Sequence, residues 1–184
     1  MEWSHSLSPA VAEIMTFAEL AVPDDLIAAL AKQHITDPMP VQIAALPVLL
    51  AGRDAYLNSE TGTGKTLAYV LPILCRLDAQ RDATQVVIVA PTHELAIQIQ
   101  HLCRDLAQHA GRAIRTQLLI GGTSMARQVD HLKRKPHIVV GSPGRIRELM
   151  TMGKLKAQAI GCIVIDEADR LLADDEPRRR AGDR

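Results

Sequence analysis

Three short apolar runs rich in branched residues, QVVIVA (85–90), HIVVG (137–141) and CIVIDE (162–167), interrupt an otherwise mixed chain. Continuous runs of this length, without alternation, predict strands buried on both faces. Two weaker runs, DAYLN (54–58) and IRTQLLI (114–120), predict further strands. Between them, apolar residues recur with helical spacing over Lys65–Leu77, His93–Ala110, Ser124–Lys133 and Pro143–Met152. Strand alternating with helix implies an α/β fold whose mostly parallel sheet carries helices on both faces. Two helices, Pro23–His34 and Pro40–Leu50, are expected before any strand. Pro23 suits an opening position, and Asp24 and Asp25 favour the positive end of a helix dipole. Pro47 is expected to kink or divide the second of these helices.

Composition narrows the class. At 184 residues, with 47% apolar and 23% charged residues, the chain is one domain with a real core. Lys plus Arg number 21, as do Asp plus Glu, so no global charge draws the chain to nucleic acid or an anionic membrane. Contact with nucleic acid must come from a local patch. Cys75, Cys103 and Cys162 form no CxxC pair, and the histidines have no metal-like spacing. Reduced thiols in a cytoplasmic setting are expected, with no disulfide framework and no zinc site. No basic start leads into an apolar block, and no run reaches membrane-spanning length, so a soluble chain without a signal peptide is expected. No internal repeat is evident. The closing PRRRAGDR reads as a polar tail.

The stretch DAYLNSETGTGKTLAYVLPIL puts a short strand, a small-residue loop and a helix in succession. Its centre, Ser59-Glu60-Thr61-Gly62-Thr63-Gly64-Lys65-Thr66, follows the phosphate-loop pattern except that Ser59 stands at the first glycine. Successive amides would face a phosphate at the start of a helix whose dipole adds about half a positive charge. Lys65 supplies a full charge for the terminal phosphates, and the Thr66 hydroxyl can hold Mg²⁺. A glycine-rich loop with a chance Lys-Thr is the plainer alternative. A second signal comes at Asp166 and Glu167, delivered by the run Ile163-Val164-Ile165. Asp166 suits a magnesium ligand, direct or through water, and Glu167 could orient or deprotonate an attacking water. The plainer reading makes Asp166–Asp169 the start of a helix, where acids are favoured. Together the two signals point to a nucleoside triphosphatase core binding ATP and Mg²⁺.

The order SETGTGKT, PTHELA (91–96), GG (121–122), SPGR (142–145) and DEAD (166–169) resembles the first RecA-like domain of the DEAD-box ATP-dependent RNA helicases. Phe17, Pro38 and Gln42 match the spacing of that family's adenine-recognition motif. The resemblance runs over 17–172, between an N-terminal extension (1–16) and a polar tail (173–184). It implies that Phe17 stacks on adenine and that the Gln42 amide reads the base edge. Cofactor-binding residues would be Phe17, Gln42, Ser59, Thr61, Gly62, Thr63, Gly64, Lys65 and Thr66. Lys65, Asp166 and Glu167 would be catalytic, and Asp169 would couple the acidic motif to the next element. RNA contact would fall on Pro91, Thr92, Gly121, Gly122, Ser142 and Arg145 along the sugar-phosphate backbone, with little sequence preference. Three departures stand out. His93 replaces an arginine, which removes a fixed cation and could add pH sensitivity. His34-Ile35 stands where Gly-Phe is common. Ser142 for threonine keeps its hydroxyl. The basic KRK (133–135) reads as a solvated helix end.

The family's next strand, ending in Ser-Ala-Thr, and its second RecA-like domain have no counterpart in this sequence. That strand would lie between the phosphate-loop strand and the acidic-motif strand. Its absence is expected to leave both unpaired on an inner edge. The chain is therefore read as a fragment or truncated reading frame with weak nucleotide binding and little hydrolysis alone. Two rivals stay open: a non-catalytic nucleotide- or partner-binding module, and a DNA-directed translocase of the same superfamily.

Overall fold

The computed structural model describes residues 15–60 and 62–173. Expectations for Thr61, for the extension up to residue 14 and for the tail from residue 174 lie outside the described residues. In chain order the elements are α1 (Asp24–Ala31), α2 (Pro40–Leu50), α3 (Lys65–Arg76), β1 (Val86–Val89), α4 (His93–His109) and β2 (Thr116–Leu119). They are followed by α5 (Met125–Leu132), β3 (Ile138–Gly141), α6 (Pro143–Thr151), β4 (Cys162–Ile165) and α7 (Ala168–Ala173). The sheet runs β2-β3-β1-β4 and every pairing is parallel. Val87 stands opposite Val139 on one side and Ile163 on the other.

Period-two alternation divides the core between the faces of this sheet. Val86, Ile88, Ile138 and Val140 pack with Leu26, Leu30, Leu71, Leu74, Ile99 and Leu106 of α1, α3 and α4. Val87, Leu119 and Val139 point the other way, to Ile146 and Leu149 of α6 and to Met125 and Val129 of α5. Each fully buried Leu or Ile contributes about 1.5–3 kcal/mol relative to exposure. Arg112, just beyond α4, joins the helical layer. It holds both carboxylate oxygens of Asp25 at 2.6 and 3.0 Å and donates to the Leu74 carbonyl at 2.5 Å. That pairing keeps the Asp25 carboxyl below its ordinary range and raises the guanidinium further.

Two expectations are corrected. Residues 54–58 form no strand: 53–60 is irregular chain without a sheet partner, and Tyr56 is 86% exposed. An apolar run becomes a strand only when a neighbour takes its amides and carbonyls, and no described residue does so here. β4 has the same deficit on its outer side, pairing only with β1. Of the two alternatives for Pro47, division of α2 is the one corrected: the helix runs unbroken from Pro40 to Leu50, and Pro72 likewise lies inside α3. The departure at His34 also gains a physical meaning. His34 has φ +60°, a left-handed conformation that glycine enters freely, while Ile35 packs against the core.

Candidate functional site

In an open parallel sheet, ligands gather beyond the carboxyl ends of the strands. Here the turns after β1, β2, β3 and β4 carry Pro91-Thr92, Gly121-Gly122, Ser142–Arg145 and Asp166–Asp169 in turn. The phosphate loop opens α3 at the same end, because Tyr69 of α3 donates a 2.8 Å hydrogen bond to Asp166 Oδ2. Residues 97 positions apart in sequence are therefore neighbours in one site.

The loop is folded on itself. Lys65 Nζ donates to the Ser59 carbonyl at 2.5 Å. The Ser59 and Thr63 hydroxyls lie 2.7 Å apart, and Thr63 Oγ1 donates to the Glu60 carbonyl at 2.8 Å. Gly64 is the N-cap of α3 at φ +86°, and a Cβ there would sit 2.4 Å from Gln42 Nε2 and 2.9 Å from Met39 Sδ. The left-handed backbone strains any side chain at Gly64, and a Cβ there would also have to push aside the Gln42 amide and the Met39 thioether.

Gln42 accounts for that crowding. Its Oε1 accepts from the Met39 amide at 2.9 Å, as an N3 residue reaching back to its helix cap. Its Nε2 donates to the Gly64 carbonyl at 3.1 Å, and the residue is 2% exposed. In this structure the amide ties α2 to the phosphate loop and offers solvent no free edge. Phe17 is also 2% exposed, within the core cluster beside Leu20, Val22 and Leu26. Its ring presents no open face for stacking. A lone Phe in an apolar segment buries more favourably against the core than in water.

At the acidic end, Asp166 Oδ1 accepts from the Glu167 amide at 2.9 Å while Oδ2 takes the Tyr69 hydroxyl. Glu167 has φ +48°, and its Oε2 lies 2.9 Å from Arg170 Nη1, an ion contact without hydrogen-bond alignment. Its carbonyl accepts from the Arg170 and Leu171 amides, so the acidic run also begins α7. Asp169 is exposed in the first turn of that helix. The Thr66 side chain sits beside the same Tyr69 oxygen. One carboxylate with a hydroxyl close by suits a hard cation that keeps most of its water, so these residues fit Mg²⁺. Among the described residues no three His, Cys, Asp or Glu side chains gather as a metal site of their own.

The other half of the edge is more tightly built. The Thr92 hydroxyl caps α4, accepting from Leu95 N at 3.2 Å, whereas the Ser142 hydroxyl caps nothing at the start of α6. His93 lies over the glycine turn, its Nε2 3.7 Å from the place a Gly121 Cβ would take. Thr123 is the pivot. Its hydroxyl donates to the Ile120 carbonyl at 3.0 Å and accepts from Gln128 Nε2, which also donates to Ile120 at 2.8 Å. Gln117 of β2 in turn donates to the Gln128 carbonyl at 2.8 Å. Arg145 crosses from α6 to the Thr123 carbonyl at 3.5 Å and pairs with Glu148 at 3.1 Å. The glycines and Arg145 stand out in the sequence, whereas Tyr69, Gln117, Thr123 and Gln128 do not. Glutamine inside an amphipathic helix or alternate strand carries no signal of burial. A tyrosine on an otherwise apolar helix reads simply as core.

Comparison with known proteins agrees with the geometry. The family model for the DEAD/DEAH box helicase matches residues 39–181. The probable ATP-dependent RNA helicase YfmL of Bacillus subtilis is 45% identical over 135 residues, covering 73% of this chain and 35% of that protein. The ATP-dependent RNA helicase CshA of Limosilactobacillus reuteri is 37% identical over 158 residues, covering 86% of this chain and 31% of that protein. The chain thus spans about a third of the length of these curated relatives. In structure it is similar to a DEAD box protein from the hyperthermophile Methanococcus jannaschii, with a TM-score of 0.80 at 28% identity. That likeness covers 87% of this chain and 43% of the other. With its phosphate loop and acidic motif joined at one sheet edge, the chain belongs to the DEAD/DEAH box helicase family, as a RecA-like domain.

Proposed function

We propose that this chain is the ATP-binding part of an RNA helicase, coupling ATP binding and hydrolysis to RNA binding and local duplex opening. The observation that carries the reading is the Tyr69–Asp166 hydrogen bond, which sets the phosphate-loop helix against the acidic motif. Lys65 and the loop amides from Gly62 to Thr66 would neutralise the phosphates. Thr66 and Asp166 would hold Mg²⁺, which would supply positive charge to offset that of the phosphates. Glu167 would orient the attacking water once it leaves Arg170. Thr92, Gly121, Gly122, Ser142 and Arg145 line the same sheet edge and would take the RNA backbone, a surface that positions a strand without reading its bases. The names of the relatives supply the RNA and ATP, since YfmL and CshA are described as ATP-dependent RNA helicases. Three free thiols suit a cytoplasmic setting, and no helix among the described residues is long and apolar enough to cross a membrane.

Because charge on the transferred phosphate in related enzymes is stabilised by an arginine worth on the order of 10³–10⁵ in rate, the chain alone should hydrolyse ATP poorly. The test compares ADP binding and ATP hydrolysis, with and without single-stranded RNA, for the wild-type chain, Lys65→Ala and Glu167→Gln. Expected are weak nucleotide binding that Lys65→Ala removes, and hydrolysis near background in all three. Nucleotide binding indifferent to Lys65→Ala would defeat the reading of the loop. Robust unwinding by the 184-residue chain would defeat the view that it holds only part of the machine.

A further inference from the structure

We infer that Tyr69 is a positioning residue for the divalent cation, its hydroxyl fixing the Asp166 carboxylate beside Thr66. The inference rests on reading this edge as a magnesium–nucleotide site and adds a residue to it. Tyr69 follows Thr66 by three positions and Lys65 by four, so α3 carries all three on one face. It is 7% exposed, yet its oxygen is not idle, donating to Asp166 Oδ2 at 2.8 Å. A buried phenol of this kind keeps a partner because leaving its hydroxyl unpaired is costly.

What the hydroxyl does for Asp166 follows from the support the carboxylate otherwise lacks. β4 is paired on one side only, and Ile163 and Ile165 on either side of Val164 are exposed. Val164 alone of these three packs on the core, and the Asp166 amide reaches the Val89 carbonyl at 2.9 Å, so the backbone is held while the Asp166 side chain needs its own partners. Two hydrogen bonds fix the carboxylate: Oδ1 from the Glu167 amide at 2.9 Å, and Oδ2 from Tyr69. The first comes from the adjoining residue and moves with the strand end. Only the second ties Asp166 to α3, the helix that carries Thr66. A carboxylate accepts about four hydrogen bonds or metal bonds in all, so two donors leave room for a cation. Outer partners of this type change metal affinity by about 10–100-fold.

Tyr69→Phe keeps the ring and its packing and removes one oxygen. The 184-residue chain and this variant would be titrated with Mn²⁺ in the presence of ADP, free Mn²⁺ being read by electron paramagnetic resonance. ADP affinity in EDTA would be measured in parallel. Expected is Mn²⁺ affinity about tenfold weaker in Tyr69→Phe, with ADP affinity in EDTA unchanged. Equal or tighter Mn²⁺ binding would overturn the inference, the latter by showing that the hydroxyl competes with the cation. A parallel loss of ADP affinity in EDTA would overturn it too, since the hydroxyl would then only support the fold. Asp166→Asn separates the inference from the reading beneath it. If Asp166→Asn leaves Mn²⁺ affinity intact, the site reading fails and takes the inference with it. If Asp166→Asn weakens Mn²⁺ and Tyr69→Phe does not, only the inference fails.

Discussion

The two halves of the functional edge differ in what stands behind them. Pro91-Thr92, Gly121-Gly122 and Ser142–Arg145 follow β1, β2 and β3, strands whose side chains are covered from both faces of the sheet. A buried amide network and an arginine tie two of those turns together. The phosphate loop instead follows an unpaired segment, and the acidic motif follows an edge strand with one bare face. Here the groups are held by a handful of polar contacts: Gln42 to Gly64, Lys65 to Ser59, and Tyr69 to Asp166. The same topological rule places both halves, but stability is distributed unevenly between them. On the proposed reading the well-covered half would take an RNA backbone and the other a nucleotide, and ligand-binding loops are commonly drawn from the less stable part of a fold.

The strongest way to break this contrast is at Gly141, where β3 meets β2. A Cβ there would lie 2.0 Å from the Leu119 carbonyl oxygen, a backbone atom that cannot swing aside. Gly141→Ala must part the two strands and should cost about 3 kcal/mol or more, read as a lower urea midpoint for the whole chain. If the midpoint stays put while only the turns at Gly121 and Ser142 loosen, the well-covered half is not the part that carries the fold.

How much of this was legible beforehand follows the same division. The buried strands announced themselves because residues covered on both faces must be apolar throughout, and the helix bounds came within a few residues of the observed ones. DAYLN failed as a strand for the opposite reason: its apolar content was adequate, but pairing belongs to the neighbour and is not written in the segment. The motifs located the phosphate loop and Asp166 by spacing alone. They could not say that Gln42 would face Gly64, that Phe17 would sit in the core, or that Tyr69 would reach the acidic motif. Those facts depend on contacts between distant positions, which one sequence does not record.

A smaller effect is expected at Gln128. Gln128→Ala removes the donors that hold the Ile120 carbonyl and the Thr123 hydroxyl. It should cost about 1–3 kcal/mol, the usual penalty for abandoning buried polar partners. Faster hydrogen exchange should appear at the amides of Gly121 and Gly122, and binding of single-stranded RNA should weaken while ADP affinity holds. The division between the halves would fail if ADP affinity dropped as far as RNA affinity, because the network would then be supporting both.

The smallest expected effect lies on β4, and its smallness is the point. Ile163 is 64% exposed and Ile165 58%, so Ile163→Ser and Ile165→Ser should each change stability by under about 0.5 kcal/mol. Val87 occupies the same register and face one strand inward, where it is buried. Val87→Ser should cost several times more, since it leaves a polar hydroxyl in an apolar layer. An exposed apolar edge strand also invites edge-to-edge pairing, so both isoleucine variants should reduce concentration-dependent association in sedimentation velocity. If Ile163→Ser proves as damaging as Val87→Ser, the outer face of β4 is covered in solution and the nucleotide half is better supported than its edge position implies.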